Sequence, residues 1–297
     1  MTSMHDLVSL TKRHVLKFLR DKAAVFFSFL SVLILLALYF LFIGRSYTSG
    51  TDLDILTSSE KTFIIAGIMM GGILVINTLS LSLGIMGNLI TDLEQKKLDA
   101  FLVTPVKRYK IIISYYLSAI LVTSVLSIFM WFLTVLYVGF SSSYWYSFST
   151  VLVVTLILIL FTFISASLMV FLVTLLKSVN AFGALSGILG TFVGFMSGIY
   201  MPLVVLGKSM QYVASVLPFT HMAIILKSIL LKGPYEMMVN KGIPEEAMRS
   251  IRLAYGSEEI GVLGFDVSMV IIMIASLLIS FLLLFLAYRN MTKKMVK

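Results

Sequence analysis

The chain has no cysteine, and its other shortages are equally informative. Without thiols neither disulfides nor thiolate metal sites can form, so zinc and iron–sulfur chemistry drop out and the redox compartment cannot be read. Charged residues make up only 12% of the 297 residues, about half the roughly 25% of an ordinary soluble domain. Hydrophobic residues reach 59%. That balance excludes a water-soluble fold. A net charge of +9 could suit nucleic acid in a polar chain, but here the basic residues are expected against anionic membrane lipid, with no nucleic-acid partner.

What is present is a series of long apolar runs. Uncharged stretches of about 20 residues or more cover Ala24 to Ile43, Phe63 to Ile90, Ile111 to Phe140, Phe148 to Leu176, Ala181 to Tyr200 and Val267 to Tyr288. Six membrane-spanning helices are expected. Residues 1–22 carry polar and basic side chains, and no small-residue cleavage site follows, so the first helix is expected to be kept as an anchor. Lys12, Arg13, Lys17, Arg20 and Lys22 precede it, Lys96, Lys97, Lys107, Arg108 and Lys110 lie between the second and third spans, and Arg289, Lys293 and Lys294 follow the last. Short basic loops resist translocation, which places both termini in the cytoplasm.

The six spans contain no Asp, Glu, Lys, Arg or His in their interiors. Ion-coupled carriers usually keep such a group at membrane depth despite a cost of roughly 2.5 to 3.5 kcal/mol. An intramembrane hydrolase would need a nucleophile and base, and His221, the one histidine beyond the N-terminal arm, reads as a packed or interfacial side chain. No catalytic residue and no metal ligand is assigned. Gly207-Lys208-Ser209 imitates the end of a phosphate-binding loop, but Pro202 stands where that loop needs its first glycine. The energy source is therefore sought outside the chain.

Two segments say more. In the loop 91–110, Asp92 and Glu94 precede Lys96 and Lys97, and Leu93, Lys97, Ala100 and Phe101 share a helical face up to Pro105. A short amphipathic helix on the cytoplasmic face is expected. In the fifth span Gly183, Gly187, Gly190, Gly194 and Gly198 recur at helical spacing, a stripe suited to close helix packing. Beyond it Pro202 and Pro218 bracket a moderately apolar stretch, too short for two more spans, that predicts a re-entrant hairpin from outside. Pro244 to Tyr255 predicts a further helix, stopped by Gly256 and packed on that hairpin.

These residues resemble the ABC-type 2 export permease family, the membrane subunits of type V ATP-binding-cassette exporters. That family opens its coupling segment with an acid in the pattern E-x-x-x-L-x-x-x-x-x-T-P-x-x-R, matched by Glu94, Leu98, Thr104, Pro105 and Arg108. It also shows a small-residue helix, a proline and a later leucine–proline, matched by Gly198, Pro202 and Leu217-Pro218.

The resemblance implies an all-α integral membrane protein, a single permease domain over residues 1–297. It has six transmembrane helices, an N-terminal amphipathic interfacial helix over residues 1–22, a cytoplasmic coupling helix over residues 91–110, and an extracellular re-entrant hairpin and cap over residues 201–266. Leu7, Val8, Val15, Phe18 and Leu19 would form the apolar face of the first of these helices.

It further implies export across a bacterial-type cell membrane, and the uncharged spans favour an amphipathic or hydrophobic cargo, such as a drug, peptide or lipid. The cognate ABC ATPase, in two copies, would hold the ATP and Mg²⁺, and this chain would hold no cofactor. A second permease copy, identical or related, would complete the complex. Glu94, Gln95, Lys96, Lys97, Leu98, Phe101, Thr104, Pro105 and Arg108 would couple it to the ATPase. Asn77, Thr78 and Ser80 of the second span, with Thr191, Phe195 and Ser197 of the fifth, would line the pathway. From the residues alone, an ion-coupled carrier or a non-transporting accessory or immunity protein stays open.

Overall fold

The computed structural model describes residues 2–38, 55–98, 100 and 106–294. Among them every regular element is helical, apart from one isolated bridge between Val262 and Phe265. The helices are α1 (Thr2–Arg20), α2 (Lys22–Leu38), α3 (Ser58–Glu94), α4 (Arg108–Ser142), α5 (Phe148–Leu175), α6 (Val179–Met196), α7 (Lys208–Val216), α8 (Pro218–Leu230), α9 (Lys232–Asn240), α10 (Glu245–Tyr255) and α11 (Met269–Lys294).

Five of these, α3, α4, α5, α6 and α11, are long and apolar enough to cross a membrane, and α7 with α8 makes a sixth if that pair, bent by 91°, counts as one span. The expected first span matches α2 as far as Leu38, and its remainder lies outside the described residues.

Helix α3 is the axis of the fold. Ile64, Ile73, Leu74, Val75, Leu81, Met86 and Leu89 are all buried although they point in every direction around it. A helix that is apolar all round belongs inside a bundle, and α2, α4, α5 and α8 surround this one. Its start is fixed by a capping box: Thr57 accepts from the Glu60 amide, and Glu60 accepts from the Thr57 amide. Lys241, just after α9, pairs with the same Glu60 carboxylate at 2.6 Å.

Helix α11 packs mainly on α5 and turns Val270, Leu278, Phe281 and Phe285 outward, the pattern of a lipid-facing helix. Helix α1 lies along α4 and buries Leu10, Thr11, His14 and Phe18. Met4, Val8, Leu16 and Leu19 face outward instead. Two members of the expected apolar face, Val8 and Leu19, thus belong to the exposed side.

Candidate functional site

The far end of α3 holds a cluster of ion pairs. Asp92 has no exposed surface, yet it is a carboxylate in the last turn of a helix, where the backbone dipole disfavours negative charge. Three contacts compensate. Lys17 Nζ lies 2.7 Å from Oδ1, Arg13 Nη1 lies 3.2 Å from Oδ2, and the Tyr115 hydroxyl donates to Oδ2 at 2.7 Å. His14 backs them, stacked on the Tyr115 ring with centroids 3.7 Å apart and sharing a hydrogen bond with Ser114 at 3.1 Å. Burial, seconded by the Arg13 guanidinium, pulls the His14 imidazole down to about 3, so it is neutral near pH 7. Asp6 pairs with Lys110 at 2.8 Å further along the same contact. One buried acid thus fastens α1, α3 and α4 together.

The segment after Asp92 departs from expectation. Asp92 and Glu94 close α3 instead of opening a new helix. The Lys97 amide bonds to the Asp92 carbonyl, the Lys96 amide to that of Leu93, and Lys96 takes a left-handed φ of 54°. This is the Schellman termination, usually made by glycine. Gln95 sits at the cap, Leu98 is buried, and Arg108 begins α4. Phe101, Thr104 and Pro105 lie outside the described residues.

Glu94 itself is exposed, and its Oε1 accepts from the Val179 amide at 3.3 Å, at the first residue of α6. A carboxylate there meets the positive end of that helix dipole.

Above this end, Asn77 donates to Ser127 at 3.2 Å, Thr78 meets Ser165 at 3.0 Å, and Ser82 donates to Thr123 at 3.3 Å. These polar groups of α3 bond to α4 and α5, as hydroxyls and amides within apolar helices commonly do, while the buried Asn77 Oδ1 has no partner among the described residues. Ser80 also lines a cavity of about 400 Å³ between α2, α3 and α6, with Phe27, Leu83, Phe182 and Ser186. Thr191 and Phe195 are exposed on α6, and Ser197 is buried.

The glycine stripe divides in two. A Cβ at Gly183, Gly187 or Gly190 would meet nothing within 4 Å, whereas one at Gly194 would strike the Tyr200 ring. Gly198 lies past the end of α6 with φ 64°, so the helix stops short of the Tyr200 boundary read from hydropathy.

Pro202 caps a short 3₁₀ turn over Leu203–Val205, and Pro218 is the first residue of α8. His221 is packed, its Nε2 bonded to the Ser215 carbonyl at 2.7 Å. Helix α10 runs from Glu245 to Tyr255 and ends on left-handed Gly256. Met248 and Tyr255 pack with Leu231, Tyr235 and Ile64, so this helix covers both α8–α9 and the Glu60 end of α3.

The family model described as ABC-2 type transporter matches residues 5–231. The chain belongs to this family. No curated protein matches the sequence. Membership makes it a multi-pass membrane protein and the membrane component of an ABC transporter, a family that pairs with an ABC ATPase. The matched region contains the Asp92 cluster, Glu94, Val179 and α8.

Of the residues this ABC-2 protein uses at the Asp92 end, sequence reasoning does not single out His14 or Tyr115, and it reads Asp92 only as the start of a helix. Arg13 and Lys17, four apart on one helical face, are the available signal that a carboxylate should meet them.

Proposed function

We propose that the chain is the permease subunit of an ATP-driven exporter, with the ATPase on a separate polypeptide, an amphipathic or hydrophobic cargo, and both termini cytoplasmic. The observation that carries this reading is the Glu94–Val179 hydrogen bond. It ties the foot of α3, where the coupling segment begins, to the first residue of α6, so a push delivered there has a direct path to the fifth span.

Two further features support the same reading. The Asp92 cluster holds α1 and α4 to that foot, so the whole end can move as one body. The cavity lined by Ser80, Ser186 and Phe182 opens between the helices that would be displaced, and its walls suit an amphipathic molecule.

The test is co-expression with the ABC ATPase encoded nearest to the chain, followed by reconstitution in vesicles. A copurifying ATPase whose hydrolysis is stimulated by cargo, with the stimulation lost in Glu94→Ala, is the expected result. Failure of any ATPase to associate, or export that persists without ATP, would overturn the reading.

A further inference from the structure

Toward the Glu60 end of α3, at Gly71, the helix meets a cation that nothing above uses. Lys227, in α8, is 2% exposed. Its Nζ donates to the Gly198 carbonyl at 3.0 Å, and no carboxylate pairs with it among the described residues. A buried ammonium with a single neutral acceptor is a costly choice. A methionine would fill the same space without that cost, so the charge needs a use.

The surroundings indicate one. Helix α3 is notched to receive the side chain: a Cβ at Gly71 would lie 2.6 Å from Lys227 Cγ and 2.9 Å from its backbone nitrogen. One turn away, a Cβ at Gly67 would lie 2.8 Å from Leu231 Cδ2. The space at Gly72 is filled by Ile199, the residue after Gly198. The ammonium end reaches the Gly198 carbonyl, two residues past the last residue of α6, on the side of the negative end of that helix dipole. Thr220, also from α8, donates to the Met196 carbonyl at 2.9 Å in the same turn. Beyond Nζ stands Gly256, where a Cβ would come within 3.2 Å, so the end of α10 closes the site.

One side chain therefore has its stem wedged against α3 and its charge on the turn that follows α6. We propose that Lys227 is a positioning residue that clasps α3 and α6 together at the external face, and that release of its bond to Gly198 accompanies outward opening of the pathway. The inference rests on the exporter reading for the meaning of opening. Gly71 and Asp92 are about 30 Å apart along α3 at roughly 1.5 Å per residue, close to the hydrocarbon thickness of a bilayer. The clasp is thus well separated from the Asp92 cluster along α3, toward the Glu60 side.

Because the protein has no cysteine, Ser197→Cys gives a single reporter beside the clasp, and Ser197 is buried in the described state. The rate of its labelling by a membrane-impermeant maleimide, added outside to vesicles, is measured without nucleotide. In the Lys227→Met background the rate is expected to rise about tenfold or more, as loss of a charge-assisted hydrogen bond implies, and Lys227→Arg should restore protection. Equal rates with and without the Lys227→Met substitution would overturn the clasp.

A second measurement covers failure of Lys227→Met to insert or fold. With Lys227 intact, S197C labelling in the complex with its ATPase should rise when ATP and vanadate trap the post-hydrolysis state. A rate indifferent to nucleotide would also overturn the proposal. The labelling comparison without nucleotide needs no ATPase, so it can fail or succeed independently of the exporter reading.

Discussion

Lys17 places its ammonium 2.7 Å from the carboxylate of Asp92, a side chain with no exposed surface. The lysine comes from α1 and the aspartate from the last turn of α3, so the pair decides where the N-terminal helix lies. Arg13 and the Tyr115 hydroxyl complete the shell. Replacing the acid removes the carboxylate that both cations face.

Asp92→Asn is therefore expected to destabilise the chain by about 2–3 kcal/mol. That is below the full cost of breaking a buried pair because Lys17 and Arg13 keep partial access to solvent. Combining it with Lys17→Met should cost less than the sum of the two single changes, since the second removes a charge already left unpaired. Thermal unfolding of the four purified proteins measures this coupling.

Glu94 makes the opposite prediction. It is exposed and accepts one amide hydrogen bond, so Glu94→Ala should leave the unfolding temperature almost unchanged while cargo-stimulated ATP hydrolysis falls. A fall in stability equal to that of Asp92→Asn would show that the residue holds the fold and not the movement.

The two parts of the glycine stripe should respond differently to added bulk. Gly187→Leu meets open space, so the monomer should fold normally. If a second permease copy docks on that face, crosslinked dimer will be lost. Gly194→Ala drives a methyl into the Tyr200 ring and should lower stability by about 1–3 kcal/mol, the usual range for overpacking. Crosslinking and thermal unfolding of both variants separate the effects.

His14 supplies a pH dependence. Its folded value is held at about 3 by burial and Arg13, below the ordinary 6.5. Between those limits the unfolded chain binds a proton that the folded chain excludes. Its contribution is therefore intact above about pH 6.5 and is lost progressively as pH falls toward 3. The unfolding temperature of the native protein should drop more between about pH 7.5 and about pH 5 than that of His14→Gln.

The bundle was legible because hydropathy alone marks an apolar helix, and α3, α4, α5, α6 and α11 correspond to expected spans. Their ends were not. Helix α3 stops on a lysine in the left-handed conformation, for which sequence gives no cue, since that position usually belongs to glycine. Gly198 does carry the cue, yet apolar Ile199 and Tyr200 prolong the hydropathy run past it.

Asn77 and Thr78 were readable as polar groups within a span. Which neighbour they satisfy depends on how α4 and α5 are turned. Asp92 and Lys227 were harder still. Each lies where sequence expects solvent, and each is buried by partners distant in the chain.

That distance matters for how the protein is made. Lys17 and Arg13 stand 75 and 79 positions before Asp92, and Tyr115 follows 23 positions after it. On the ribosome the two cations emerge first, the acid later and the phenol last. The cluster can close only after α3 and α4 have both been threaded with their Asp92 and Tyr115 ends on the side where α1 waits. An inverted α3 would strand a bare carboxylate on the wrong surface, so the same contact that joins the helices also rewards correct insertion.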